Sequence, residues 1–245
     1  MDQGLRGKRV LVTGGTRGIG RATVLAFAQA GAHVLACHHT EGEDSDSLAR
    51  ELKELGDRNR VVRADVTDSA DNRRLAGTVE EELGGLDVLV NNVGVDGSAP
   101  FAAISGEEWQ RLLDYNVTSA YLVTQAMLGV LADGASVVNI GASAALRGRP
   151  NAVHYSASKA ALVGFTRGLC KELGPRGIRV NLVAPGLTET EPGGGLPPQA
   201  VERIVAITAL GRLCRPNDVA GAVLFLAGDT SQYISGVTLN VDGGI

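Results

Sequence analysis

The stretch Val10-Leu11-Val12-Thr13-Gly14-Gly15-Thr16-Arg17-Gly18-Ile19-Gly20 decides how this chain folds. Lys8 and Arg9 lead into the apolar run Val10 to Val12, which has the composition of a strand buried on both faces of a parallel sheet. A glycine-rich turn begins at once at Thr13, and Arg21 to Ala30 is rich in good helix formers. Strand, glycine turn and helix in direct succession make a cradle for a pyrophosphate. The glycines let the backbone come close, and the helix N-terminus offers free N–H groups and a positive dipole end. The spacing is Gly14-x-x-x-Gly18-x-Gly20 rather than the more familiar G-x-G-x-x-G. A dinucleotide site built on Gly14, Thr16, Arg17, Gly18, Ile19 and Gly20 is therefore expected.

Outward from this turn, Ala32 to Cys37 reads as a second strand, and its end decides which nicotinamide cofactor fits. An acidic side chain there would accept hydrogen bonds from the adenosine ribose and repel a 2′-phosphate. The sequence has His38-His39-Thr40 instead, and a guanidinium such as that of Arg17 suits a phosphate in shape and charge. NADPH is expected over NADH, with Arg17 and His38 near the phosphate. The acidic run Glu41 to Ser47 reads as a solvated loop entering the next helix. Arg60 to Ala64 is a short strand ending in Asp65-Val66, Ser69 to Leu83 a helix, and Leu86 to Val90 a strand ending in Asn91-Asn92-Val93-Gly94. Ligands of such sheets sit beyond the carboxyl ends of the strands, where Gly14, Asp65 and Asn91 would lie within reach of one ligand.

Ser105-Gly106-Glu107-Glu108 has the capping-box pattern and should open a helix. Its apolar stripe runs through Leu112, Leu113, Val117, Ala120, Val123 and Met127, with Asn116 inside it. A buried amide needs partners, so Asn116 is either a satisfied structural group or a functional one. Ala135 to Ile140 is the next strand, followed by Gly141-Ala142-Ser143-Ala144-Ala145 and a loop from Leu146 to Pro150. The next helix carries Tyr155 and Lys159, four apart and so on one face. A nearby Lys⁺ favours a phenolate and pulls the Tyr pKa toward the working range, although the pair alone also fits an ordinary surface helix. Ala157, Ala160, Ala161, Gly164 and Gly168 give this helix a small-residue face that permits close packing. Ile178 to Val183 is a sixth strand, Asn217 to Ala227 a helix and Val237 to Val241 a last strand. Between them, Glu191 to Gln199 is rich in Gly and Pro and reads as a mobile lid. The alternation specifies an α/β fold: a Rossmann-type, doubly wound parallel sheet of about seven strands with helices on both faces, in one domain over residues 1–245.

Composition narrows the field. With 245 residues, 44% of them hydrophobic, the chain can bury one large core. A net charge of −4 without a Lys/Arg run argues against nucleic acid as a partner. Cys37, Cys170 and Cys214 lack metal-ligand spacing and read as reduced thiols, so no metal is expected. No stretch approaches the roughly 18 consecutive apolar residues of a membrane span, and a soluble cytoplasmic protein is expected.

Taken together, Thr13-Gly14 with Gly18-Ile19-Gly20, Asp65-Val66, Asn91-Asn92-Val93-Gly94, Asn116, Tyr155 with Lys159, Pro185-Gly186 and Val241-Asp242-Gly243-Gly244 resemble the short-chain dehydrogenase/reductase family. The resemblance runs from the first strand to the last residue, and the pattern is most similar to bacterial 3-oxoacyl-carrier-protein reductases and related ketoreductases. It implies hydride transfer from a nicotinamide to a carbonyl carbon of a small or carrier-bound ketone. Tyr155 would protonate the carbonyl oxygen. Lys159 would hold the nicotinamide ribose and lower the Tyr pKa, and Asn116 would hold a water that relays protons to Lys159. Asp65 and Val66 would flank the adenine, with Asn92, Gly94, Pro185 and Gly186 along the cofactor and Thr188 and Thr190 at its nicotinamide end. Family members are commonly homodimers or homotetramers.

One position departs from the pattern. The family has a serine thirteen residues before the tyrosine, and here that residue is Ala142. Ser143 follows, but neighbouring side chains of an extended segment point to opposite faces, so it can substitute only if the backbone turns there. Val93, where the family usually has Ala, is a milder change. Three readings stay open: Ser143 or a water replaces the hydroxyl, the substrate brings its own donor, or the protein does not reduce carbonyls. In the last case it would be an isomerase, cyclase or dehydratase using Tyr155 with NADP bound, or a cofactor-binding protein without catalysis. Arg147 and Arg149 read as loop charges able to meet an anionic substrate or carrier.

Overall fold

Every apolar run named above becomes a strand of one parallel sheet in the computed structural model, which describes residues 3–190 and 195–245. The strands are β1 (Arg9–Thr13), β2 (His33–His38), β3 (Arg60–Arg63), β4 (Leu86–Asn91), β5 (Leu131–Ile140), β6 (Arg179–Pro185) and β7 (Thr238–Val241). Their order is β3-β2-β1-β4-β5-β6-β7, with every neighbouring pair parallel. The direction of winding reverses between β1 and β4, and the expected doubly wound topology is present.

Strand residues alternate between two cores because successive side chains leave opposite faces of a sheet. Val10, Val12, Val34, Ala36, Val88 and Val90 face one way, onto α1 (Gly18–Gln29), α2 (Glu43–Leu55) and α9 (Pro216–Ala227). Leu11, Leu35, Cys37, Leu89 and Val137 face the other, onto α3 (Ser69–Leu83) and α5 (Ser119–Met127). The long helix α7 (Val153–Leu173) lies on this second side and packs Leu162 against Leu182 and Ala184 of β6. Among the described residues no helix is long and apolar enough to cross a membrane.

Local structure departs from the sequence reading at five places. The acidic run expected as a loop supplies the first turn of α2 instead, where Glu43, Asp44 and Asp46 meet the positive end of the helix dipole. β5 begins at Leu131, ahead of the expected Ala135, because Leu131 pairs with Leu86 while Asp133 and Gly134 mask the strand in the sequence. The expected loop from Leu146 to Pro150 is entered through a short helix, α6 (Ala144–Arg147), and a further helix, α8 (Pro198–Ile207), begins inside the stretch expected as a lid. The single helix expected after Ser105 is α4 (Gly106–Leu113), a π-helical turn over Asp114–Thr118, and then α5. Ser105 caps α4 as expected, its Oγ accepting from the Glu108 N–H at 3.1 Å.

Beneath the carboxyl ends of β4 and β5 lies a buried amide network. Asn91 Nδ2 donates to Thr124 Oγ1 and to Asn139 Oδ1, both at 2.9 Å, and Asn139 Nδ2 donates to Thr166 Oγ1 of α7 at 2.9 Å. The side chain of Asn91 is thereby committed to the core, and of the three strand-end groups expected near a ligand it is the one turned away. Asn139→Leu removes an acceptor from Asn91 and the donor to Thr166. It is expected to lower the unfolding free energy by about 1–3 kcal/mol, because buried polar groups lose their partners. A urea titration reads this as an earlier midpoint with an unaltered slope, and an unmoved midpoint would show that the network carries no weight.

Candidate active site

The glycine turn between β1 and α1 has no room for side chains. A β-carbon on Gly20 would sit 2.1 Å from the Gly14 carbonyl oxygen, and one on Gly18 would sit 2.9 Å from Thr190 Cγ2. Gly14 and Gly18 also hold φ of +62° and +54°, a left-handed backbone that favours glycine. Asn92 Nδ2, from the chain just after β4, closes the turn by donating to the carbonyls of Thr13 and Gly14 at 2.9 and 3.0 Å. Val93 packs its Cγ2 against the same turn. Arg21 Nη1 donates to the Thr16 carbonyl at 3.1 Å, a brace that sequence reasoning missed because the residue reads as an ordinary helix cation.

The N-terminus of α1 carries no side-chain cap and no acidic residue in its first turn. Its leading N–H groups are free for an anion, and the residues present fit a dinucleotide. Arg17 is exposed at the head of this helix and makes no ion pair among the described residues. At the end of β2, His38 is buried and its Nδ1 lies 2.9 Å from the Thr40 carbonyl oxygen. The next residue, His39, is the exposed one, with Nε2 3.6 Å from Asp65 Oδ2. Burial alone would raise the Asp65 carboxyl, but hydrogen bonds from Thr67 and the charge of His39 outweigh it and hold it below the usual value. Val66 beside it is buried.

On the other side of the switch point, Lys159 is only 4% exposed, and its Nζ donates to the Ile140 carbonyl at the end of β5, at 3.0 Å. Burial pushes its pKa down to about 8, against the opposing charge of Asp96. Asn116 sits in the π-helical turn, a feature that often marks functional positions. Its amide donates to the Val95 carbonyl at 3.0 Å and to Ser158 Oγ at 2.9 Å, and its Oδ1 accepts from the Val95 N–H at 2.8 Å. A β-carbon on Gly94 would lie 2.8 Å from Lys159 Nζ and 2.9 Å from Asn116 Oδ1. The glycine thus keeps open a point within hydrogen-bonding distance of both groups.

Tyr155 stands one turn before Lys159, half-buried, with no hydrogen-bond partner for its hydroxyl among the described residues. Burial pushes its pKa up to about 12, with Asp96 adding to the rise and Arg149 opposing it. Burial, rather than Lys159, is therefore the dominant influence on the phenol. Ala142 is buried at the expected serine position. The backbone does turn at Ser143, to φ −61° and ψ −25°, and the Ser143 N–H donates to the Pro185 carbonyl at 2.8 Å. The Ser143 hydroxyl is buried and accepts from Arg147 Nη2 at 3.2 Å. Pro185 ends β6, and a β-carbon on Gly186 would press on Asp242 Cα at 3.0 Å. Thr188 Oγ1 donates to the Gly186 carbonyl at 3.1 Å, and Thr190 reaches the glycine turn at Gly18. Of the expected lid, residues 191–194 lie outside the described residues.

These placements gather the expected residues at one end of the sheet in two groups, the glycine turn with Asn92 and Thr190, and the pocket of Asn116, Tyr155 and Lys159. Comparison with known proteins bears on the family. A family profile described as enoyl-(acyl carrier protein) reductase matches residues 14–245. A 3-oxoacyl-[acyl-carrier-protein] reductase of Thermotoga maritima is 37% identical over 243 residues, covering 98% of each chain. A 3alpha-hydroxysteroid dehydrogenase of Mediterraneibacter gnavus is 38% identical over 243 residues, covering 98% of this chain and 97% of its own. Among solved structures, a blue fluorescent protein from a metagenomic library in complex with NADPH superposes with a TM-score of 0.93 at 37% identity, covering 99% of both chains. On the glycine turn, the sheet order and these relatives, the chain belongs to the short-chain dehydrogenase/reductase family of oxidoreductases.

Proposed function

We propose that the protein is an NADPH-dependent ketoreductase that converts a ketone to a secondary alcohol, with Tyr155 as general acid. The observation that carries this reading is the Tyr155 hydroxyl, unpartnered among the described residues, beside the buried Lys159 and Asn116, at the strand ends that also hold the glycine turn. NADPH, when bound, supplies the hydride for the carbonyl carbon. The α1 N-terminus, Gly14, Ile19 and Gly20 hold its pyrophosphate, and Asp65 and Val66 the adenine. Asn92, Gly94, Pro185, Gly186, Thr188 and Thr190 line the rest. Support for the phosphorylated cofactor comes from Arg17, whose exposed guanidinium makes no ion pair among the described residues, and from the exposed ring of His39, which stands outside the buried His38.

In this reading the Tyr155 hydroxyl gives its proton to the carbonyl oxygen as negative charge develops there. Lys159 holds the ribose hydroxyls and returns a proton to the phenol, and the open point beside Gly94 lets a water join Lys159 to Asn116. In this reading Ser143 takes over from the missing serine, and the support is that its contact with Arg147 uses it as an acceptor and leaves its O–H to donate. Relatives of equal similarity are named for carrier-bound 3-oxoacyl groups and for a steroid, so the substrate class proposed is a small, cyclic or carrier-bound ketone. Ala142 also favours a second reading, a non-reducing relative that uses Tyr155 as acid and base with NADP bound. The exposed Ala160, Ala161, Gly164 and Gly168 on α7 suit a homodimer or homotetramer. A cytoplasmic location is part of the same proposal.

Three outcomes test the reading. Tyr155→Phe is expected to slow ketone-dependent NADPH oxidation by roughly 10²–10⁴, the usual weight of a general acid, while NADPH still binds. Ala142→Ser is expected to raise turnover by up to about 10², since one donor to a developing oxyanion is worth roughly 10²–10³. Substrate conversion with no change in nicotinamide absorbance would instead favour the non-reducing reading. Arg17→Ala is expected to weaken NADPH binding about tenfold and leave NADH binding unaltered, as for a lost charge-assisted hydrogen bond; equal weakening of both cofactors would remove Arg17 from the phosphate.

A further inference from the structure

Arg149 is not the solvated loop charge that its sequence position suggests. Its Cζ lies 4.9 Å from the centroid of the Tyr155 ring. Asp96 grips it with both carboxylate oxygens, Nη1 to Oδ2 at 3.0 Å and Nη2 to Oδ1 at 2.5 Å, and Nη2 also donates to the Gly97 carbonyl at 3.0 Å. The grip is itself anchored. Asp96 follows Val95, whose N–H and carbonyl are both held by the Asn116 amide, and Ala99 N–H donates to the Asn151 carbonyl at 2.7 Å. The segment after β4 and the segment before α7 are thus stitched together, with the guanidinium laid on the phenol.

We propose that Arg149 is a positioning residue for Tyr155, held on the ring by Asp96 so that the phenol keeps one orientation and gives up its proton more readily. The proposal rests on the reading of Tyr155 as the acid/base group. A phenolate spreads its charge into the ring, so a guanidinium against the ring stabilises the phenolate more than the phenol. Asp96 lies on the guanidinium and offsets part of this. The other charged or titratable groups nearby are accounted for. On α7 they are His154, buried with Nε2 3.8 Å from Glu108 Oε1, and Lys159, bound to Ile140. On α4, Glu108 and Arg111 pair with each other, and on α6 Arg147 turns to Ser143. Arg149 is the cation seen against the ring, and a guanidinium keeps its charge at every working pH.

The test uses oxidation of an alcohol by NADP⁺, in which Tyr155 acts as a base and the rate climbs with pH as the phenolate forms. Arg149→Met is expected to move the rising limb of kcat/KM up by roughly one pH unit, with rates converging on wild type at high pH. Arg149→Lys keeps a charge without the flat two-pronged grip and is expected to fall between the two. A turnover-independent arm follows the Cζ resonance of Tyr155 in ¹³C-tyrosine-labelled protein, assigned by its loss in Tyr155→Phe; its movement should begin at higher pH in Arg149→Met. Melting temperature and NADPH binding confirm that each variant is folded. An equal loss of rate at all pH with an unmoved resonance would overturn the proposal, as would wild-type behaviour of Arg149→Lys for the role of the Asp96 grip. If wild type oxidises no alcohol, the catalytic reading fails, and the resonance alone decides the effect of Arg149 on the phenol.

Discussion

A buried ammonium sets the terms for the site. Lys159 is taken out of water, and a buried charge must find partners or give up its proton. Its acceptor among the described residues is the Ile140 carbonyl, so β5 must end where it does and α7 must lie close against it. That closeness is secured further along the helix. Thr166, seven residues on and so two turns down the same face, takes the hydrogen bond from Asn139 of β5, and Leu162 between them packs on β6. Tyr155, Lys159, Leu162 and Thr166 form a single stripe, in which the two lower residues dock the helix and the two upper ones face the strand ends. The lowered pKa of Lys159 follows from the same burial that fixes its position.

The sheet order does the rest of the positioning. Because winding reverses between β1 and β4, the glycine turn after β1 and the Asn91-to-Gly94 segment after β4 emerge side by side. Asn92 ties the two together through the carbonyls of Thr13 and Gly14, and Gly94 stands against both Lys159 and Asn116. One short segment therefore touches the glycine turn at its start and the proposed acid/base pocket at its end. On the far side, Thr190 meets Gly18, so the chain after β6 closes on the same turn from the other half of the fold.

The fold was legible because a parallel sheet buries its strands on both faces, and runs such as Val10-Leu11-Val12 and Leu86 to Val90 leave little else to be. Element ends were less legible where a polar or glycine residue interrupts a strand, as Asp133 and Gly134 do in β5. The π-helical turn at Asn116 was hidden for a different reason. Its apolar stripe still repeats every three or four residues, and only the buried amide, bonded on both edges to Val95, signals that the regular ladder has been broken. Of the candidate site, the glycines, Asn116, Tyr155 and Lys159 could be named from motif and spacing. Asp96 and the contact of Arg149 with Tyr155 could not, because they depend on segments far apart in sequence meeting, and Arg21 could not because its sequence position is that of an ordinary helix cation. The exchange of His38 for His39 as the exposed ring was equally invisible: which of two adjacent histidines turns inward depends on the end of β2, where His38 bonds the Thr40 carbonyl.

Ala142 and Arg149 bear on the same step. A carbonyl oxygen gathering charge needs donors, and on the proposed reading the loss of the serine leaves more of that work to the proton of Tyr155. A phenol buried as this one is would be a reluctant acid, its pKa carried up to about 12. The cation that opposes this rise lies on its own ring, and it is held there by a carboxylate whose chain segment is anchored to Asn116. On the same proposal, moving the adjustment from the substrate oxygen to the acid itself would keep proton transfer workable without the second donor. It also leaves residue 142 apolar, without the hydroxyl that a serine would carry there. On the proposed reading, a ketone carrying its own hydroxyl beside the carbonyl would be spared the loss that costs a simple ketone its second donor.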